Sequence, residues 1–322
     1  MSLKEQLLYE LIKNRGKSMS GQQLAEQFHV SRTAIWKTIR TLKEEGHLIQ
    51  AGQNRGYTLL SNSDVLNVPA IAPLLLPPLN ATFLTVVSQC SCTNDCIKQL
   101  AIQSAPAGTC FLADTQTNGR GRQGRSFYSP PGGLYLSMLL RPSLPMYKST
   151  FLTIAAAVAV CRAVKKICNI SLEIKWVNDL FLNGKKVGGI LTEAVTDLEG
   201  GTFEYAIVGI GLNIFFREPI PNELTSVVTS LYNTEPDEAI RCKLAAAILN
   251  ELYQLEQNPS SSLEEYQALN FVPGKTIQII SGIRTGTAKA LSITERGQLL
   301  VEYPDHTQIT LNSGEIQIMD IV

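Results

Sequence analysis

A short segment rich in arginine and glycine, followed at once by two prolines, places the strongest constraint on the fold of this chain. Residues 119–125 read Gly-Arg-Gly-Arg-Gln-Gly-Arg and fit the pattern G-x-G-x-x-G of dinucleotide-binding folds. That pattern requires a helix to begin within it. Residues 129–133, Ser-Pro-Pro-Gly-Gly, exclude such a helix, and no Gly-Lys-Ser/Thr completes a P-loop. We therefore predict an Arg/Gly loop, residues 119–125, between strands at 110–113 and 134–140.

This loop carries three guanidinium groups, those of Arg120, Arg122 and Arg125. Their forked donors match phosphate oxygens, and the glycines let the backbone approach a ligand closely. The formal net charge of the chain is zero, so the concentration of cations is local. On these residues alone, a phosphate site, a solvated connector and a patch that touches nucleic acid are comparably supported.

Charge is distributed unevenly along the chain. Residues 1–60 contain nine Lys or Arg against five Glu and no Asp, so they carry four surplus positive charges and the remainder carries four surplus negative ones. A basic N-terminal part on a mildly acidic body predicts that the first domain meets a polyanion and that the others need not.

Cysteine use and hydropathy indicate a cytoplasmic protein. Seven cysteines, an odd number, favour free thiols over a disulfide framework. Cys90, Cys92 and Cys96 lack zinc-site spacing and have no histidine nearby, so we expect no metal held by protein ligands alone. The first apolar stretch is interrupted by charges, unlike a signal peptide. The longest apolar helix candidate, residues 151–160, is too short to span a bilayer.

Apolar spacing predicts three helices in the first 45 residues. Residues 3–12 repeat apolar positions as a helix with one buried face does. Ser20 is expected to cap a second helix that ends near Phe28, and Ser31 a third. Two short helices joined by a tight turn, the second with a basic outer face, are typical of a helix-turn-helix that enters the major groove.

Two further segments, 47–50 and 56–60, resemble strands joined by a Gly/Asn/Arg loop, which would form a wing. A three-helix scaffold for protein contacts is the alternative. Agreement between helix spacing, caps, turn, basic face and wing favours DNA binding. The residues expected to contact DNA are Arg32, Thr33, Lys37 and Arg40 on the third helix and Arg55 at the tip of the wing.

A linker is expected after the winged helix-turn-helix. Residues 68–78 contain four prolines, which makes them too broken for a core helix. We place the domains at residues 1–64, 65–270 and 271–322. Asn183-Gly184 is a strong hairpin signal in the central domain. Strands with helices on one side predict an α+β fold there. The expected helices are 93–103 and 147–168, and the expected strands are 82–87, 171–176, 179–182, 185–193 and 202–213.

Four motifs occur in order along the chain. They are Gly119-Arg-Gly-Arg-Gln-Gly-Arg125, Lys175-Trp-Val-Asn-Asp179, Lys186-Val-Gly-Gly-Ile-Leu191 and Gly209-Ile-Gly-Leu-Asn213. With these motifs the chain is similar over its whole length to the bifunctional biotin–protein ligases that double as biotin-operon repressors. Residues 20–60 resemble their winged helix, and residues 271–322 their small SH3-like C-terminal β-barrel; the central mixed-sheet domain of the family is class II synthetase-like.

The resemblance implies a two-step reaction. The biotin carboxylate attacks the α-phosphate of ATP, with Mg²⁺ as companion, to give biotinyl-5′-AMP, and a lysine of a biotin carboxyl carrier protein then takes the acyl group. It also implies a homodimer that forms when the adenylate is bound, grips operator DNA and represses biotin synthesis genes. The Arg/Gly loop is expected to order around the adenylate.

Site residues follow from the same resemblance. Asp179 is expected to orient the incoming lysine amine, and Phe127 to provide an aromatic surface for the adenylate. The implied biotin contacts are Cys92, Thr93, Asn94, Gln116, Arg120, Gly121, Arg122 and Lys186. The implied adenylate contacts are Arg122, Arg125, Phe127, Asn178 and Asn213. Catalysis is assigned to Arg120, Arg122, Lys186 and Asp179.

The chain departs from the family pattern at three positions. Cys92 stands where serine is usual, Val177 where proline is usual, and Phe127 where tryptophan is frequent. A thiol is a weaker donor than a hydroxyl, whereas valine is well tolerated in a strand. Three alternatives stay open: a biotin-sensing transcription factor without catalysis, a lipoate-type ligase, and a ligase without repressor activity.

Overall fold

The computed structural model describes residues 2–52, 56–197, 202–281 and 284–319. Its α-helices are α1 Leu3–Lys13, α2 Gly21–Gln27, α3 Arg32–Glu44, α4 Val68–Ile71, α5 Thr93–Ile102, α6 Thr150–Cys168, α7 Arg241–Glu256 and α8 Leu263–Leu269. Its strands are β1 Ile49–Gly52, β2 Gly56–Leu59, β3 Leu84–Cys90, β4 Cys110–Gln116, β5 Leu134–Leu140, β6 Glu173–Lys175, β7 Asp179–Leu182, β8 Lys185–Asp197, β9 Thr202–Leu212, β10 Thr276–Ser281, β11 Gly286–Ile293, β12 Leu299–Glu302, β13 Gln308–Leu311 and β14 Glu315–Ile318.

The N-terminal part, which we call the head (residues 2–60), contains the predicted helix-turn-helix and hairpin. The side chains of Ser20 and Ser31 cap α2 and α3, which confirms both predicted caps. Strands β1 and β2 pair antiparallel, although β1 begins two residues later than expected. Arg55, predicted at the wing tip, lies outside the described residues. Apolar side chains from all five elements form a separate core, among them Leu7, Leu11, Leu24, Ile35, Ile39, Leu42, Ile49 and Leu59.

A seven-stranded mixed sheet, in the order β3-β4-β5-β9-β8-β7-β6, forms the centre of the molecule. Its β3–β4 pair is parallel, whereas the neighbouring pairs are antiparallel. The crossover from β3 to β4 contains α5, as a parallel connection requires. Asn183 and Gly184, with φ of 51° and 76°, form the predicted hairpin between β7 and β8.

Helices cover both faces of this sheet, so the expectation of helices on one side was wrong. Alternate residues of β5 face opposite ways: Leu136 and Met138 lie in the large core with α6 and α7, whereas Leu139 packs with α5. The strand residues are apolar on both sides, which is the pattern of a sheet with two covered faces. No helix among the described residues is long and apolar enough to cross a membrane.

The segment after the head differs from the expected linker without a core helix. Its prolines do not prevent the short helix α4, because Pro69 occupies the first turn, where a missing N–H is tolerated. Asn67 caps this helix, and Ile71 is fully buried in the large core. Ser63 and Asp64 are buried as well. The connector is therefore part of the packed structure.

The C-terminal part is a five-stranded antiparallel sheet in the order β13-β12-β11-β10-β14. Within the described ranges no pairing joins β13 to β14, so the sheet is open and the closed barrel that was expected is not observed. The sheet is fixed to the central domain at Gly297, whose carbonyl accepts from Trp176 Nε1 at 3.0 Å. Apolar residues of β10, β11 and β12 continue the large core.

Candidate functional site

One cavity gathers nearly all of the predicted ligand-binding residues. It lies between the N-terminus of α5, the Arg/Gly loop, the β6–β8 region and the C-terminal sheet. The predicted residues that line it are Cys92, Thr93, Asn94, Gln116, Arg120, Gly121, Arg122, Arg125, Phe127, Asn178, Asp179 and Lys186. Further lining residues not assigned from the sequence include Lys175, Trp176, Gly189, Ile190, Leu191, Gly209, Gly211 and Glu315.

Neutral polar groups occupy one end of the cavity. The Thr93 N–H donates to Gln116 Oε1 at 2.8 Å, and Gln116 Nε2 donates to Ser129 Oγ at 2.9 Å. Ser137 Oγ, fully buried on β5, lies 2.7 Å from Thr93 Oγ1 and 2.6 Å from Asn94 Oδ1. These bonds fix the direction of each donor and acceptor. The network is suited to a neutral polar ligand group such as an amide or urea.

Two glycines of β9 create the space beside this network. A Cβ atom at Gly209 would lie 2.1 Å from Asn94 Oδ1. One at Gly211 would lie 2.5 Å from the Phe127 ring. The Gly-Ile-Gly motif therefore lets Asn94 and Phe127 rest directly on the sheet. The sequence signal for this role was the alternation of glycine with apolar residues along one strand.

The Arg/Gly loop folds back on itself through backbone bonds. The Gly121 N–H donates to the Arg125 carbonyl at 2.7 Å, and the Phe127 N–H donates to the Gly119 carbonyl at 2.8 Å. Residues 122–124 form a single 3-10 turn with Gln123 at φ 55°. No α-helix occurs between β4 and β5, all of which are described, as the prolines predicted. The loop, residues 119–125, thus covers one side of the cavity.

Arg120 is held by carboxylates at the edge of the cavity. Its Nη2 lies 2.5 Å from Asp95 Oδ1 and 3.5 Å from Glu193 Oε2. Asn94 Nδ2 donates to the same Glu193 carboxylate at 2.6 Å. Asp95 and Glu193 were not identified from the sequence, because acidic side chains on a helix and a strand are usually just solvated. They connect the arginine of the loop to the neutral network.

The opposite end of the cavity is cationic. Lys186 Nζ lies 2.7 Å from Asp179 Oδ1, and Arg122 Nη1 donates to Asn178 Oδ1 at 3.2 Å. Burial lowers the pKa of Arg122 in the Arg/Gly loop and of Lys175 at the end of β6. Partial burial of several cations around a cavity favours an anionic ligand, because a ligand charge offsets their desolvation.

The C-terminal sheet completes the wall of the cavity. Glu315 pairs with Arg125 of the Arg/Gly loop, and Gln123 Nε2 donates to Ser281 Oγ at 3.3 Å. Glu315 in turn donates its backbone N–H to Ser281 Oγ at 3.1 Å. Sequence reasoning did not identify the two contacts to the Arg/Gly loop, because they join residues more than 150 positions apart. The loop is therefore held from two domains.

The three departures from the family pattern have distinct positions. Cys92 is buried at the N-cap of α5 and makes no capping hydrogen bond through its side chain. Val177 lies in the turn between β6 and β7, joined to Trp176 by a cis peptide bond. The expectation that this valine lies in a strand was therefore wrong. Phe127 packs edge-on against Tyr135 and lies 5.9 Å from Lys186 Nζ. All seven cysteines have free thiols.

Asn213 is the one predicted ligand contact that the structure does not bring to the cavity. It follows β9 and is buried. Its Nδ2 donates to the Thr229 carbonyl at 3.0 Å, and its own carbonyl accepts from the Leu231 N–H at 2.9 Å. Asn213 therefore holds the segment beside β8 in place, and its contact with the adenylate stays a prediction.

The four described residues of the predicted DNA-binding set are exposed on α3. Arg32 and Arg40 line a groove between α3 and the β1–β2 hairpin. Arg40 also pairs with Glu44 at 2.9 Å. Trp36, about half exposed, lies in the same groove and was not predicted. The apolar face of α3 packs in the core of the head. The opposite face, which carries the basic residues and Trp36, can therefore contact a partner.

Comparisons with known proteins agree with both halves of this description. Residues 86–213 match the biotin/lipoate A/B protein ligase family, and residues 4–58 match an HTH domain family. The solved biotin protein ligase of Aquifex aeolicus in complex with biotin and ATP superposes with a TM-score of 0.61 at 27% identity, over 73% of this chain and 97% of that one.

Similarity to curated relatives extends over nearly the whole chain. The bifunctional ligase/repressor BirA of Bacillus subtilis is 34% identical over 306 residues, which cover 92% of this chain and 93% of that protein. BirA of Escherichia coli is 29% identical, with 89% of each chain covered. The shared span includes the head, the cavity and the C-terminal sheet, so the chain belongs to the BirA family of bifunctional ligase/repressors.

Proposed function

We propose that this protein is an ATP-dependent, AMP-forming biotin–protein ligase that also represses biotin synthesis genes. The observation that carries the ligase assignment is a single cavity with a neutral hydrogen-bonding end at Thr93, Asn94 and Gln116 and a cationic end at Arg122 and Lys186. Biotin has the matching polarity, with a neutral ureido ring at one end and a carboxylate at the other.

In the first step, Lys186 and Arg122 hold the biotin carboxylate beside the α-phosphate of ATP. A carboxylate oxygen attacks the α-phosphorus, and the bond to the bridging oxygen breaks as pyrophosphate leaves with the electron pair. Arg120, Gly121 and Cys92 enclose the valeryl chain and ureido ring. Charge accumulates on the phosphoryl oxygens in the transition state, where preorganised cations stabilise it.

Adenylate recognition uses the Arg/Gly loop and the residues next to it. Arg125 exchanges its partner Glu315 for phosphate, Phe127 provides an apolar surface, and Asn178 orients Arg122. Asn213 supports this wall from behind. Mg²⁺ accompanies ATP and supplies charge neutralisation there. The described residues contain no cluster of three His, Cys, Asp or Glu suited to a metal.

In the second step, a lysine amine of a biotin carboxyl carrier protein attacks the acyl carbon of biotinyl-5′-AMP. The acyl C–O bond breaks, AMP leaves with the electron pair, and the attacking nitrogen releases a proton to solvent. Asp179 accepts a hydrogen bond from the incoming amine and orients it. Its present partner, Lys186, is an ammonium group of the same kind, so the site already accommodates a lysine head group at this carboxylate.

Repression rests on the head. Arg32, Thr33, Lys37, Arg40 and Arg55 contact operator DNA, and the adenylate-bound protein forms a homodimer that reaches two half-sites. The domains comprise residues 1–64, 65–270 and 271–322, the central one class II synthetase-like and the last similar to the SH3-like C-terminal domain of the family. The protein acts in the cytoplasm, where ATP, carrier protein and DNA are all present.

The first experiment is to mix the protein with biotin, Mg²⁺ and α-³²P-labelled ATP, look for labelled biotinyl-AMP, and then add a biotin-carrier domain. Labelled adenylate that discharges onto the carrier lysine is the expected result. Lipoate in place of biotin serves as control, and a preference for lipoate would favour the lipoate-type ligase. Absence of adenylate would leave a biotin-sensing transcription factor.

Repression is tested separately by DNA binding. Binding to the promoter region of the organism's biotin synthesis genes is measured with and without biotinyl-AMP, together with the sedimentation coefficient. We expect the adenylate to promote dimers and to tighten DNA binding. Unchanged dimerisation and unchanged DNA affinity would leave a ligase without repressor activity.

A further inference from the structure

A buried ion cluster lies between the head and the cavity, outside the site described above. At its centre is Arg241, in the first turn of α7, whose side chain is only 1% exposed. Its Nε donates to Asp64 Oδ2 at 3.2 Å and its backbone N–H to Asp64 Oδ1 at 3.1 Å. Its Nη1 contacts Asp114 Oδ1 and donates to the Gly133 carbonyl at 3.2 Å, and its Nη2 contacts the Asp64 carbonyl. Every terminal nitrogen of the guanidinium therefore has a partner.

These partners belong to three separate segments. Asp64 lies in the connector that follows the head. Asp114 lies on β4, two residues before Gln116 of the neutral network. Gly133 precedes β5 directly. One guanidinium thus binds the connector of the head together with both strands from which the Arg/Gly loop emerges.

The connector is held from the opposite side as well. Arg15, at the end of α1, donates through Nη1 to the carbonyls of Leu60, Ser61 and Ser63 at 3.0–3.1 Å. The Ala239 N–H donates to the Ser61 carbonyl at 3.0 Å. Because these hydrogen bonds hold the connector at several points, a displacement of one end moves the whole segment.

We propose that Arg241 is a positioning residue that couples the connector of the head to the base of the Arg/Gly loop. A buried guanidinium needs both carboxylates, because an unpaired buried charge is strongly disfavoured. Displacement of β4 or β5 when the loop closes over a ligand therefore displaces Asp64, and displacement of Asp64 disturbs the loop. Such a shared element, biased by both sites, is the physical basis for coupling between them. The inference rests on the proposed function for its biological meaning, not for its test.

Amide hydrogen exchange on the full chain tests the coupling without a measurement of enzyme activity. In Asp64→Asn, which preserves shape and removes one charge, we expect amide exchange in residues 117–127 to rise at least about fivefold. Arg15→Gln is the matched control, because it frees the same connector while every hydrogen bond of Arg241 stays in place. It should raise exchange in residues 60–64 and leave residues 117–127 unchanged.

Two outcomes would overturn the proposal. One is an unchanged loop in Asp64→Asn. The other is an equal rise of amide exchange in the loop for both variants. Loosening of the connector, and not the Arg241 cluster, would then control that exchange. Should Asp64→Asn fail to fold, Asp114→Asn reports in the reverse direction: its side chain is partly exposed, and it must raise exchange in residues 60–65.

Biotin titration calorimetry adds a functional readout. Asp64→Asn lies outside the cavity, yet we expect it to weaken biotin binding about fivefold, whereas Arg15→Gln should match the wild type. Equal biotin affinity in all three proteins would show that the coupling does not extend to biotin binding, and the exchange result would then decide the role of Arg241 in holding the loop. Absence of biotin binding by the wild type would instead reject the proposed function, and the exchange result would still decide the role of Arg241.

Discussion

Lys186 and Asp179 form an ion pair at the cationic end of the cavity, with Nζ and Oδ1 2.7 Å apart, across the hairpin that joins β7 to β8. The neighbouring lysine, Lys185, points the other way and donates to the carbonyl of Thr225 at 2.8 Å. Two adjacent lysines of one strand therefore have different environments, as the alternation of a strand requires. This pair offers a test with an internal control.

Replacement of Lys186 by glutamine should slow biotinyl-AMP formation by about 10²–10³, because one preorganised donor to the developing charge is lost. Replacement of Lys185 by glutamine should leave the rate within about twofold of the wild type, because its side chain contacts the segment at Thr225 and not the cavity. Single-turnover formation of labelled adenylate measures both. Comparable losses in the two variants would contradict the assignment of Lys186.

Asp179→Asn should slow acyl transfer from preformed biotinyl-AMP to a carrier domain by at least about tenfold, because the amide is a weaker acceptor for an ammonium group than a carboxylate. The same variant should bind biotin with nearly unchanged affinity, because the neutral end of the cavity is intact. Transfer is followed in a quenched reaction with purified adenylate. A wild-type transfer rate would remove Asp179 from the second step.

Gly209→Ala should weaken biotin binding by more than about tenfold. The added Cβ atom would lie 2.1 Å from Asn94 Oδ1, and Asn94 has no free direction to move because Ser137 and Glu193 bind it. Titration calorimetry measures the affinity, and thermal unfolding separates a local effect from global destabilisation. Unchanged affinity would mean that Asn94 does not contact the ligand.

Cys92→Ser should stabilise the protein by about 0.5–1 kcal/mol and tighten biotin binding. Cys92 occupies the N-cap of α5 without a capping hydrogen bond, and serine supplies the hydroxyl acceptor that N-caps prefer. Urea unfolding with tryptophan fluorescence gives the stability, and calorimetry the affinity. If both stay at the wild-type values, the thiol already fills the role of the usual serine.

Stability should decrease in mild acid because of His47. Its side chain is buried at the end of the α3–β1 turn, and burial lowers its pKa from 6.5 to about 4. Between these two pH values the unfolded chain binds a proton and the folded chain does not. Stability is therefore complete above about pH 6.5 and falls as pH decreases to about 4, by about 3 kcal/mol.

His47→Gln removes this titration and supplies the control. Urea unfolding of both proteins at pH 7 and pH 5 is compared through Trp36, which lies in the head and reports on it through fluorescence in a Trp176→Phe background. The variant should lose less stability on acidification than the parent. Equal losses would show that carboxylates, not His47, set the acid sensitivity.

The head and the motifs of the cavity could be predicted because their signals are local. Ser20 and Ser31 as caps, Asn183-Gly184 as a hairpin and the prolines after the Arg/Gly loop each act within a few residues, so the sequence alone specifies them. The biotin contacts came from resemblance, and the structure brings those side chains together.

What the sequence did not reveal depends on distant contacts. The pairing of Arg125 with Glu315, the support of Asn94 by Ser137 and the burial of Arg241 against Asp64 join residues that are far apart in the chain, and no periodicity reports them. The second face of the sheet was missed for a related reason, because apolar runs such as β5 do not reveal how many helices cover them.

The placement of Gly314, Glu315 and Ile316 in the cavity wall has a consequence for biosynthesis. The ribosome makes this wall roughly 190 residues after the Arg/Gly loop, a delay of about 10–40 s at a synthesis rate of about 5–20 residues per second. Throughout that interval the nascent chain exposes its basic helix-turn-helix and an unfinished cavity whose Arg125 lacks its carboxylate partner. Full adenylate capture, and with it any control over DNA, therefore begins only when translation of the last sheet is complete.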